Sequence, residues 1–90
     1  MTTRCIKVLI SGHVQGVFFR DSTRNKANRY SISGHAKNLS DGRVEVIACG
    51  EFNDIEQIID WLHIGPVYSR VDKISIQEID INSPDGFHIL

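Results

Sequence analysis

The stretch Ile32-Ser33-Gly34-His35-Ala36-Lys37-Asn38-Leu39 runs into Ser40-Asp41-Gly42 and then Arg43-Val44-Glu45-Val46-Ile47-Ala48-Cys49. Two alternating runs around an Asp-Gly pair predict a β-hairpin. Glycine accepts the positive φ of a tight turn, and alternation sorts the side chains onto two faces. On the first run Gly34, Ala36 and Asn38 share one face, while His35 and Lys37 share the other. A hairpin in the middle of a short chain makes the flanking segments decisive for the fold.

Upstream, Arg20 to about Tyr30 has Phe19, Thr23, Ala27 and Tyr30 at helical spacing,. Before it, Arg4 to Ser11 is short and β-branched, with Ile6, Val8 and Ile10 on one face and Cys5, Lys7 and Leu9 on the other,. Downstream, Ile55, Ile58, Ile59 and Leu62 form an apolar helical stripe,. Asn53 stands as its expected N-cap, Glu56 as the back-bonding partner, and Gly65-Pro66 as its end. Val71 to Ile81 predicts another strand. Its apolar phase changes between Ile74/Ile76 and Ile79/Ile81, which predicts a bulge near Glu78. Phe87 to Leu90 suits a short fifth strand. The order βαββαβ is that of an α+β, ferredoxin-like sandwich: a four-stranded antiparallel sheet, both helices on one face, and the first and third strands as central neighbours. That fold hosts many activities and decides none of them.

Ninety residues, 41% apolar and 23% charged, suit one domain spanning residues 1–90,. Ten Lys+Arg against eleven Asp+Glu give a net charge of −1. That balance argues against nucleic acid as a partner, as does an expected open sheet face (Cys5, Lys7, Leu9, Glu45, Ile47, Cys49) with no aromatic ring to stack on a base. No apolar run approaches the roughly 18 residues of a membrane span, and no signal-peptide pattern opens the chain. A cytoplasmic protein without membrane association is the expectation.

The segment richest in chemistry is Gly12-His13-Val14-Gln15-Gly16-Val17-Phe18-Phe19-Arg20. It links a strand end to a helix start. Gly16 lets the backbone curl so that successive N–H groups converge, and the helix N-terminus adds unpaired N–H groups and a positive dipole end. Arg20, at that junction, can grip phosphate oxygens with two parallel hydrogen bonds. Glycine spacing alone favours a plain strand-to-helix turn with a surface Arg, and it matches neither the P-loop nor the dinucleotide-binding fingerprint. Asn38, at the end of a row of small residues, can orient a water near such a cradle, or it can simply brace the Asp41-Gly42 hairpin.

Taken together, the two segments carry a family resemblance. Ile10 to Arg20, I-S-G-H-V-Q-G-V-F-F-R, resembles the first acylphosphatase signature, and Gly34 to Gly50 resembles the second. The one departure is His35, where the family usually has an aromatic residue. Gly65-Pro66 followed by Val71, and the terminal Gly86-Phe87-His88-Ile89, are similar to family features as well. The resemblance implies hydrolysis of the carboxyl–phosphate bond of acyl phosphates without metal or cofactor. Inorganic phosphate is then product and inhibitor. It implies Arg20 and Asn38 as catalytic residues, with Gln15, Gly16, Val17, Phe18, Phe19 and Arg20 binding the phosphoryl group and Asn38 holding the attacking water. Small size and the resemblance together imply a monomer. The alternative is a module that binds an acyl or carbamoyl phosphate without turning it over.

His13, His35, His63 and His88 lack metal-ligand spacing,. The adjacent Phe18 and Phe19 are expected to anchor the loop in the core. Cys5 and Cys49 fall on the same open face. If they pair across antiparallel strands, 7 faces 47 and 9 faces 45, so a cross-strand disulfide fits the register. Two reduced thiols in a reducing cytosol fit the sequence equally.

Overall fold

The computed structural model describes residues 3–90. The elements are β1 (Thr3–His13), α1 (Phe19–Arg29), β2 (Ser33–Asn38), β3 (Val44–Glu51), α2 (Phe52–Ile64), β4 (Arg70–Glu78) and β5 (Phe87–Ile89). Their order in the sheet is β4-β1-β3-β2-β5. The first four strands are antiparallel with β1 and β3 central, and the short β5 adds a parallel edge beside β2. This is the ferredoxin-like α+β arrangement with its fifth strand.

The alternation read from the sequence determines which face is covered. Ile6, Val8, Ile10, Val44, Val46, Ala48 and Ala36 are fully buried and form one core with Phe19 and Ala27 of α1 and Ile55, Ile58 and Leu62 of α2. Burying each large aliphatic side chain contributes about 1.5–3 kcal/mol, so this shared layer is what holds helices to sheet. Phe19 meets Trp61 across the two helices with ring centroids 5.9 Å apart. No helix among the described residues is long and apolar enough to cross a membrane.

On the opposite face Cys5 stands directly across from Cys49, with Lys7 across from Ile47 and Leu9 across from Glu45. The two cysteines form a disulfide, their Cα atoms 4.1 Å apart. Both are buried although the face is open. The chain beyond β4 stays against β1 there: Ile79 N–H donates to the Cys5 carbonyl at 3.0 Å, and the Ile81 carbonyl lies 3.8 Å from Cys5 Sγ.

Two local expectations are corrected. The bulge is not near Glu78, where the register is regular, with Glu78 opposite Ile6. It lies at the other end of the pair, where Ser11 faces Lys73 and Gly12 faces Val71, leaving Asp72 as the extra residue. The phase change at Ile79 marks the end of the strand, not an insertion within it. Nor do Asn53 and Glu56 cap α2. Pairing carries β3 to Glu51, which is itself the N-cap and makes no side-chain cap bond, so Asn53 already lies in the first turn. Glu56 instead accepts a hydrogen bond from Arg4, whose guanidinium also pairs with Glu78 at 2.7 Å and lies over Phe52. One arginine thus ties β1, α2 and the end of β4 together.

Candidate active site

The cradle begins where the bulge turns β1. A Cβ at Gly12 would lie 2.1 Å from the Arg70 carbonyl oxygen, so only glycine permits the two strands to approach this closely,. Beyond it, Val14, Val17 and Phe19 are buried and pin the loop to the core, while Gly16 and Phe18 between them are exposed. Gly16 has φ 77° and Phe18 has φ 62°, ψ 28°, both left-handed. Left-handed residues within a turning backbone point neighbouring N–H groups inward, the geometry of an anion-binding nest. Among the described residues, no main-chain N–H from Gln15 to Phe18 donates to another main-chain carbonyl. The first helical bond runs from Ser22 N–H to the Phe18 carbonyl at 3.0 Å, and no side chain caps α1. Its first-turn N–H groups therefore remain open, with the positive end of the helix dipole behind them.

Arg20 sits in that first turn. Its Nη1 donates to the Leu90 carbonyl at 2.9 Å. Leu90 is held in place because β5 runs along β2, with Leu90 N–H donating to the Ala36 carbonyl at 3.0 Å. The terminal strand thus supports the arginine from the side on which Asn38 ends β2.

Asn38 does not brace the hairpin. That work is done by Asp41, which accepts from the Arg43 N–H at 3.1 Å and from the Arg43 side chain at 2.9 Å. Gln15 also serves it, with Nε2 donating to the Leu39 carbonyl at 2.8 Å and the Arg43 carbonyl at 2.9 Å. The Gln15 side chain is therefore a staple between cradle loop and hairpin. Among the described residues the Gln15 main-chain N–H has no main-chain partner, and Gln15 itself does not line the pocket that holds Arg20 and Asn38. Val17 turns its side chain into the core and offers only its N–H.

A pocket of about 280 Å³ is lined by Gly16, Phe18, Phe19, Arg20 and Asn38, together with Val14, Asp21 and Ile89. Residues far apart in the chain meet there, as the two motifs require. The sequence reading errs on Phe18, expected in the core: Phe19 is buried, whereas Phe18 is 73% exposed. It is the left-handed φ that turns its side chain outward. The Gln15 staple and the Leu90 support were not foreseen, because each depends on a main-chain carbonyl, which no residue pattern displays.

On the open face, His35 Nε2 donates to Glu45 Oε2 at 2.8 Å. That bond holds the Glu45 carboxyl below its ordinary value against the opposing effect of burial; the charges of His35, Lys7 and Lys37 add to the lowering. The departure at His35 is thus met by a hydrogen-bonded carboxylate away from the pocket. No group of three or more His, Cys, Asp or Glu side chains is placed to hold a metal ion among the described residues.

A two-layer, ferredoxin-like α+β sandwich with a pocket where the β1–α1 junction meets the end of β2 defines the class of small α+β domain. The chain belongs to the acylphosphatase family, whose model matches residues 6–89. A Vibrio vulnificus acylphosphatase is 47% identical over 90 residues, covering all of both chains. The structure of an acylphosphatase from Coxiella burnetii superposes with a TM-score of 0.93 at 42% identity, covering 98% of this chain and 93% of that one. The same fold occurs within a larger protein. The chain matches full-length HypF, in its phosphate- and nucleotide-bound form, at 30% identity and TM-score 0.90, covering 99% of this chain and 12% of that one.

Proposed function

We propose that this acylphosphatase, acting as one unit over residues 1–90, hydrolyses acyl phosphates through a cradle of Arg20 and main-chain N–H groups and a water held by Asn38. The observation that carries the reading is that Gly16, Phe18, Phe19, Arg20 and Asn38 line one pocket, next to loop amides that have no main-chain partner; Gln15 and Val17 stand outside that lining. The phosphoryl oxygens accept from the Gln15–Arg20 N–H groups and from the guanidinium. Negative charge accumulates there as the bond to the leaving group loosens, so fixed donors act on the transition state. The Asn38 side-chain oxygen accepts from a water and its amide can donate to the phosphoryl group, which aligns the attack. The leaving group is a carboxylate, whose conjugate acid has a pKa near 4, so it departs without a general acid. A phosphoryl oxygen takes the proton of the water. Nothing in this sequence of events calls for a metal.

Asn38→Ala is expected to lose turnover while retaining competitive inhibition by phosphate; full activity in that variant overturns the assignment. Arg20→Ala and Arg20→Lys are expected to lose both, since a point charge does not reproduce the two-pronged grip. Activity unchanged by EDTA supports the metal-free route, and dependence on added metal contradicts it. The match within a much longer protein favours one alternative, a module that binds an acyl or carbamoyl phosphate without turnover. Steady hydrolysis of benzoyl phosphate decides against it. A cytoplasmic monomer remains the expected working form, tested by light scattering and cell fractionation.

A further inference from the structure

Phe18 is an unusual residue for its position. It occupies the N-cap of α1, where Ser, Thr, Asp or Asn normally bonds the first-turn amides, and it makes no such bond,. Its backbone is left-handed, a conformation disfavoured for a bulky side chain,. The residue is 73% exposed and is among those that line the pocket. A left-handed backbone and high exposure thus coincide at an aromatic residue of the pocket lining.

The rest of the wall is divided by chemistry. Arg20 and Asn38 make one end polar and suited to the phosphoryl group. Phe18 and Ile89 add apolar surface, and Asp21 adds one negative charge. Asp21 is only loosely paired, 3.5 Å from Arg24, so its charge still acts on a ligand. A volume of about 280 Å³ stands at the small end of small-molecule pockets, typically about 300–1,000 Å³, which suits a phosphoryl group with a compact acyl group.

Resting on the hydrolase reading above, we infer that Phe18 is the specificity-determining residue for the acyl half of the substrate. Its ring packs on a neutral, apolar acyl group, aromatic or branched. Short acyl groups leave the ring uncovered. Acyl groups carrying a second carboxylate meet Asp21.

The test compares kcat/KM for benzoyl, acetyl and succinyl phosphate in the wild-type protein and in Phe18→Asn, Phe18→Tyr and Asp21→Asn. Asparagine tolerates the left-handed region, so the loop backbone is kept while the ring is removed. The benzoyl-to-acetyl ratio should fall roughly 10-fold in Phe18→Asn, the scale of a lost apolar contact in the transition state. It should be retained in Phe18→Tyr. The succinyl-to-benzoyl ratio should rise in Asp21→Asn. Ratios cancel any loss common to the shared phosphoryl end, so a weakened cradle does not obscure the result. A benzoyl-to-acetyl ratio unchanged in Phe18→Asn overturns the inference while leaving the hydrolase intact. A wild-type protein that hydrolyses none of the three overturns the hydrolase reading and this inference with it.

Discussion

At the scale of single residues, the proposed site combines the Arg20 and Asn38 side chains with loop main-chain donors, and other side chains hold that loop in place. Gln15 shows this best. Its amide spends both donor hydrogens on the Leu39 and Arg43 carbonyls, so its side chain positions the Asn38 hairpin relative to the loop. Gln15→Ala should therefore lower kcat roughly 10- to 100-fold by misplacing the water, the usual scale for a small loss of alignment. The inhibition constant of phosphate should move much less, because the amide of residue 15 survives the substitution. Equal losses in both would show the staple to serve the cradle instead. The sequence displays this residue only as one letter of a motif. Nothing in its pattern says that its side chain faces away from the anion.

At the scale of elements, what matters is which strand end meets which helix start. β5 is only Phe87–Ile89, yet it runs parallel to β2 and brings Leu90 to Arg20. Removing residues 87–90 should raise KM for an acyl phosphate, with a smaller effect on kcat, because the arginine loses its support while Asn38 stays on β2. Steady-state kinetics on the truncated chain checks this. The β2–β3 pair carries a pH-dependent contact. Glu45 is held below its ordinary value of 4.5 by His35, so the folded state favours the carboxylate. Its contribution is present above that ordinary value and disappears as the pH falls through the lowered one. Glu45→Gln should cost about 0.5–1 kcal/mol near neutral pH, the range of a partly exposed pair. The difference from wild type should close in acid, as read by urea unfolding at several pH values.

At the scale of the whole molecule, the disulfide is the longest-range covalent constraint, joining residues 44 apart on the two central strands. Closing a loop of that length restricts the unfolded chain, and the double variant Cys5→Ser, Cys49→Ser should lose roughly 3–4 kcal/mol. Thermal unfolding with and without a reductant measures it, and two titratable thiols in denatured, unreduced protein would show the bridge to be open in that preparation. The element order and the central β1–β3 pair were legible in the sequence; the 5-to-49 register was permitted by it but not singled out, because a slip of two residues keeps Ile6, Val8, Val44 and Val46 on the buried face. The cradle loop and Arg20 were legible as a motif. Other features were not, among them the outward turn of Phe18, the Gln15 staple, the Leu90 support of Arg20, the place of the β1–β4 bulge and the transfer of Glu56 from a helix cap to Arg4. Each depends on how the chain is oriented when it arrives from a neighbouring element, and local preference is silent about that. Residue order was enough to set the layers and to name the candidate site residues; which of them share a pocket followed from packing, because packing chooses among backbone directions that a linear pattern leaves equivalent.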